Sequence, residues 1–98
     1  VTIIGSWIMP VEGQPGKMQG IRLGEDGEAS SINMATLVYK YWEQQGDELY
    51  LTVKSIGNGV EIEGIDTLKI EKLTTDSLVL NSNYGYTLRY AKEKSTKP

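Results

Sequence analysis

The chain contains no cysteine, no histidine and no phenylalanine. The first two absences exclude disulfide scaffolds, thiol nucleophiles, iron–sulfur clusters, histidine-based zinc sites and every Ser-His or Cys-His catalytic arrangement. Neither a metal nor a cofactor is expected. A basic stripe is lacking too. Net charge is −3, from 13 acidic and 10 basic residues in mixed order, and without clustered Lys and Arg no nucleic-acid partner is expected. No apolar run approaches the ~20 residues of a membrane-spanning helix, and from Val1 onward there is no signal-peptide h-region. A chain that starts at Val1 rather than Met is expected to be a processed or trimmed product that has lost its targeting segment. Its 98 residues hold one domain with one core, which leaves no room for a large buried catalytic apparatus.

With Phe absent, six Tyr and two Trp carry the aromatic load, a bias that suits strands and surfaces wet at one end. Apolar residues nowhere recur at helical spacing. They alternate instead, in Leu49-Tyr50-Leu51-Thr52-Val53, in Leu78-Val79-Leu80 and at Tyr84, Tyr86, Leu88 and Tyr90, as one face of a strand requires. Turn signals fall between these runs at Pro15-Gly16, Asp26-Gly27, Gly46-Asp47, Asn58-Gly59, Thr74-Thr75-Asp76 and Ser82-Asn83. About eight strands are predicted, over 5–11, 17–24, 28–33, 37–45, 48–55, 60–72, 77–81 and 84–91, with 92–98 a frayed polar tail. Short antiparallel strands with one apolar face and no covering helix must close or stack. The expected fold class is all-β, a small up-and-down antiparallel barrel forming a single domain over 1–91. Gly20 and Gly64 lie inside strands, where a barrel bends or bulges.

Two-residue hairpin loops extend the argument to register. Around Asn58-Gly59, Val53 opposes Gly64, Leu51 opposes Asp66 and Leu49 opposes Leu68. Around Gly46-Asp47, taken as a Gly-first type II′ turn, Trp42 opposes Leu51 and Lys40 opposes Val53. One inward face then holds Val38, Lys40, Trp42, Leu49, Leu51, Val53, Ile62, Asp66, Leu68 and Ile70. Asp26-Gly27 sets Leu23 against Ser30 and Ile21 against Ile32. For Ile70, Leu80 and Tyr86 to share the interior, the last two hairpins need three-residue loops, Thr74 to Asp76 and Ser82 to Tyr84.

At this point the residues resemble a known family. Gly5-Ser6-Trp7 is similar to the G-x-W triplet that opens lipocalins, in which the Trp plugs the closed end of the barrel. More specific are Gly13-Gln14-Pro15-Gly16, the run from Ser31 to Leu37, the run from Ser55 to Gly59, then Asp66-Thr67 and Ile70-Glu71-Lys72-Leu73. In that order they resemble the short bacterial lipocalin-like proteins, many of them lipoproteins of anaerobic gut bacteria, from Gly5 to about Tyr90. The resemblance implies a calycin-type barrel and a signal peptide or lipobox Cys upstream of Val1. It also implies a place in the bacterial cell envelope, as a periplasmic protein or outer-membrane lipoprotein, or secretion. It implies no particular ligand. The chain is shorter than a full lipocalin and shows no C-terminal helix, so a deep pocket does not come with the resemblance.

Several motifs have plainer explanations. Ser55-Ile56-Gly57-Asn58-Gly59 is Gly-rich, yet a strand follows where a phosphate cradle needs a helix. Glu25-Asp26-Gly27-Glu28 lacks the ligand spacing of a calcium loop and reads as a solvated turn, and Glu61 and Glu63 as the outer face of a strand. Asp66 and Lys40 stand apart, because an unpaired buried charge is costly. The two are roughly 10 Å apart across one strand, a gap that a Lys stem spans. Three assignments stay open: a structural pair, a bulge at Gly64 that turns Asp66 outward, and a polar anchor in an apolar cavity. No second carboxylate on that face supplies a glycosidase pair. Tyr39, Tyr41 and Tyr50 fall on the outer face, where a homodimer would form.

The expected function is therefore non-enzymatic binding of a small apolar or amphipathic ligand in the barrel, by Trp7, Lys40, Trp42, Asp66, Tyr86 and Tyr90. The alternative is a structural or protein-interaction module with a filled barrel, and an envelope enzyme ranks third.

Overall fold

The computed structural model describes residues 2–34 and 36–93. Within them eight strands succeed one another without a helix: β1 (Gly5–Pro10), β2 (Met18–Leu23), β3 (Ala29–Ile32), β4 (Leu37–Gln45), β5 (Glu48–Gly57), β6 (Val60–Leu73), β7 (Ser77–Ser82) and β8 (Thr87–Lys92). They form one antiparallel sheet in the order β3-β2-β1-β8-β7-β6-β5-β4, so each strand lies beside its sequence neighbours and β8 returns to β1. The sheet curls until β3 meets β4. That seam has no continuous ladder. Ser31 Oγ donates to the Leu37 carbonyl and accepts from the Tyr39 N–H at 2.9 Å, and Trp42 N–H donates to the Gly27 carbonyl at 3.0 Å. The result is a nearly closed up-and-down barrel, as expected. β8 extends to Lys92, which pairs with Trp7, so fraying does not begin there. Residues 94–98 of the expected tail lie outside the described residues.

Two hairpins obey backbone chirality closely. Asn58 and Gly59 both have positive φ (49° and 76°), which is the type I′ turn that Asn-Gly favours, and Gly57 faces Val60 across it. Gly46 alone of its pair has positive φ (61°), as a type II′ turn requires. The register between β5 and β6 is therefore the expected one, with Leu51 opposite Asp66 and Leu49 opposite Leu68. Gly64 sits in an unbroken ladder opposite Val53, so no bulge turns Asp66 outward.

Elsewhere the register departs from expectation. Between β2 and β3 the loop has three residues, Glu25 to Gly27, closed by a bond from Gly24 N–H to the Glu28 carbonyl (2.7 Å), with Gly27 left-handed at φ 87°. Leu23 thus faces Ala29 and Ile21 faces Ser31, rather than Ser30 and Ile32. In β4 the pairing shifts between Tyr39 and Tyr41, so Lys40 is an extra residue. Below this bulge Trp42 still faces Leu51; above it Tyr39 takes the place opposite Val53, and Val38 and Lys40 turn out. A second bulge, at Glu71, lets Ile70 face Leu80 across a two-residue turn, Thr75-Asp76, instead of a three-residue one. The β7–β8 loop does have three residues, but they are Asn83 to Gly85, so β8 begins at Thr87 and Leu80 faces Leu88.

The core fills the closed end of the barrel. Trp7, Ile21, Leu23, Leu49, Leu78 and Leu80 are wholly buried, with Ile3 and Leu51 nearly so. Trp7 is the plug that the G-x-W resemblance implies: its Nε1–H donates to the Ile3 carbonyl at 2.8 Å, so the chain before β1 crosses the barrel floor. The Lys92 ammonium lies 4.7 Å from the Trp7 ring centroid and donates to the Ile4 carbonyl at 2.9 Å. A cation over the ring face and a satisfied indole N–H hold floor and wall together.

Candidate functional site

The open end is built differently, because β5 and β6 outrun their neighbours. β7 pairs with β6 only from Leu68 onward, whereas the β5–β6 ladder continues to Val60. The β5–β6 hairpin therefore rises above the rim. By register its inner face carries Val60, Ile62, Gly64 and Asp66, and across β5 it is continued by Leu37 and Tyr39. Leu37 (37%), Val60 (55%), Ile62 (66%) and Tyr86 (48%) are unusually exposed for apolar side chains on a barrel's inner side. Such exposure is more than the fold itself requires. Below them Tyr39 and Tyr90 are nearly buried, and deeper still the filled core begins.

Asp66 is the carboxylate of this surface. Opposite the buried Leu51, it points inward and is half-buried. Beside it, between β6 and the β7–β8 loop, lies a cavity of about 180 Å³ lined by Asp66, Leu68, Ser82, Tyr84 and Tyr86 among others. Tyr39 feels these surroundings. Burial, then the Asp66 carboxylate, then Tyr86, push its hydroxyl from 10.0 up to about 12. The Tyr90 hydroxyl is raised as well, first by burial and then by Tyr39 and Tyr86. Three tyrosines and one carboxylate thus share the upper barrel.

The raised tyrosines predict a pH dependence. Both hydroxyls keep their protons in the folded chain where the unfolded chain loses them. The stabilisation is complete below pH 10.0; that of Tyr39 disappears as the pH rises toward about 12 and that of Tyr90 persists further, each falling by up to about 1.4 kcal/mol per pH unit. Urea midpoints at pH 9 and pH 11 test it. Tyr39→Phe should remove part of the alkaline loss, and an identical loss in the variant would contradict the assignment.

The sequence-derived site residues are not all brought together. Asp66 and Tyr86 meet at the cavity, and Tyr90 lies below them. Trp7 is fully enclosed in the floor and offers no surface. Trp42 faces inward, but its Nε1–H donates to the Gly24 carbonyl at 2.7 Å, a latch toward the closed end. Lys40 is corrected: the bulge sends it outside, where its Nζ lies 3.3 Å from Glu63, so it is not the partner of Asp66. Tyr39 is corrected in the opposite sense, from the outer patch to the interior. Tyr41 does stay outside, and Tyr50 donates to Glu48 at 3.1 Å there. The signal that could have revealed Tyr39 was the cost of an inward Lys beside two outward glutamates.

At the opposite end, the N-terminal crossing and the β2–β3 loop enclose a wider cleft of about 430 Å³, lined by Ile4, Arg22, Glu25, Asp26 and Glu28 among others. Asp26 is occupied with its own turn, accepting from the Glu28 N–H at 3.1 Å. Among the described residues no group of three or more carboxylates is placed to hold a metal ion.

Comparison with known proteins agrees with the barrel fold. A family model described as lipocalin-like matches residues 1–93. The chain is also similar to the crystal structure of a lipocalin-like protein from Bacteroides thetaiotaomicron VPI-5482, at 56% identity and a TM-score of 0.89, over 96% of this chain and 99% of that one. No curated protein matches it.

Proposed function

Since the chain belongs to the lipocalin-like family, we propose that it is a non-enzymatic binding protein that takes the apolar part of a small amphipathic molecule at its barrel mouth. The observation that carries this reading is the exposed inner face of Leu37, Val60, Ile62 and Tyr86 above a filled floor. Water on that face is released when an apolar chain covers it, worth about 25 cal/mol per Å² buried. The polar groups of Asp66 and Ser82 beside it suit the other end of an amphiphile. Because the lower barrel is filled, the ligand sits in the mouth rather than in a deep vault. An envelope location, as for the lipoproteins the chain resembles, fits such a carrier, and fractionation of cells making the full-length protein tests it.

The neutral fluorescent probe N-phenylnaphthylamine tests the binding reading. Saturable uptake is expected, and Tyr86→Ala should weaken it about tenfold, or 1.4 kcal/mol. Tyr86 is half exposed, so its truncation should leave the thermal midpoint nearly in place. Absence of saturable uptake by the parent protein would overturn the reading.

One observation favours a second reading, a filled-barrel module for protein interaction. From Val60 to Thr67 the side of β6 away from β5 has no strand partner among the described residues, and such an edge is a template for another strand. Concentration-dependent dimerisation without probe uptake would support it.

A further inference from the structure

We propose that the barrel mouth selects cationic amphiphiles, with Asp66 receiving an ammonium or amidinium head group while Leu37, Val60 and Ile62 cover the chain. This rests on the mouth as the binding site and adds the charge of its ligand. The basic residues of β4 and β5 near the mouth face outward and are engaged there: Lys40 Nζ lies 3.3 Å from Glu63, and Lys54 Nζ 3.0 Å from Glu61. Arg89 of β8 also faces out, since it pairs with Val79 while its neighbours Leu88 and Tyr90 turn inward. Asp66 is on the inner face, half-buried, and none of the ion pairs among the described residues includes it. Among the described residues, the inner surface of the mouth is thus largely apolar and carries one carboxylate that no ion pair balances.

A charge in such a setting is poorly screened and acts strongly on whatever enters. An anionic head group is repelled, and a cation gains a charge-assisted contact. The aromatic lining works in the same direction. Tyr86 borders the cavity with Asp66, and Tyr39 and Tyr90 both lie close enough to Tyr86 for their hydroxyls to be raised by it. Their ring faces are negative and attract cations, most of all ammonium groups stripped of water. A cavity of about 180 Å³ beside Asp66 has room for a small charged head group.

Displacement of bound N-phenylnaphthylamine by dodecyltrimethylammonium, dodecyl maltoside and dodecyl sulfate, each below its micellar concentration, tests the proposal. The cation is expected to displace the probe about tenfold more tightly than the sulfate, a preference that shrinks as salt rises. Asp66→Asn should abolish the preference while keeping uptake of the neutral probe and maltoside. Asp66→Glu should retain it, and Glu63→Gln, on the outer wall, should leave it unchanged. Equal or tighter displacement by the sulfate, or an undiminished preference in Asp66→Asn, would overturn the cation proposal and leave the binding site standing. Failure of the parent protein to take up the neutral probe would overturn both.

Discussion

Replacement of Trp7 by alanine is expected to lower the thermal midpoint by roughly 15 °C or more, from a loss of about 3–5 kcal/mol at 4–8 °C per kcal/mol in a domain of this size. Three contributions go at once. The ring is fully buried, so its removal leaves a cavity in the floor. The Ile3 carbonyl loses the indole N–H that reaches it at 2.8 Å, and an unsatisfied acceptor stays behind. The Lys92 ammonium loses the ring it covers at 4.7 Å. Trp7→Phe should cost less, because much of the volume is kept and only the hydrogen bond goes. Thermal denaturation followed by circular dichroism is the measurement. A drop below about 5 °C for the alanine variant would mean that the crossing chain and its neighbours, not Trp7, hold the closed end.

The second large effect belongs to a residue with no side chain. A Cβ on Gly20 would stand 1.8 Å from the Trp7 carbonyl oxygen and 2.9 Å from the Ile8 Cα, both backbone atoms of β1. Nothing flexible is available to move, so Gly20→Ala must push β1 away from β2 in the middle of their ladder. A cost of about 3 kcal/mol is expected, at the upper end of what overpacking brings. Gly64 makes the control. It too lies inside a strand, but a Cβ there meets nothing within 4 Å. Gly64→Ala should be neutral or slightly stabilising through the unfolded chain. Chemical denaturation of the pair separates the two, and equal costs would contradict the close approach of β1 and β2.

These two glycines also mark how far the sequence could be followed. Both interrupt strands in the same way on paper, and only the approach of another backbone distinguishes them. Strand positions were legible because alternation and turn residues are local. The faces of β5 and β6 were legible because Asn58-Gly59 specifies a turn by its chirality, and parity then carries Asp66 inward. The bulges at Lys40 and Glu71 were not legible, since an extra residue in a strand is decided by what packs across the barrel. That single residue exchanges Lys40 for Tyr39, removes the Asp66–Lys40 pair from the three open assignments and leaves the carboxylate near tyrosines. Ile62 is chemically a core residue, and its exposure follows from where β7 ends. The seam at Ser31, a side chain standing in for a ladder, left no periodic trace.

Binding at the barrel mouth is the proposal from which the ligand's place and charge both follow. Backbone amide shifts recorded during titration with N-phenylnaphthylamine test it most directly, because they locate the ligand as well as detecting it. Saturable shifts are expected only at Leu37–Tyr39, Val60–Asp66 and Ser82–Tyr86, with the floor around Trp7 and the cleft around Arg22 and Glu25 unmoved. Shifts centred on that cleft, spread over the outer wall at Tyr41 and Tyr50, or missing altogether would contradict it.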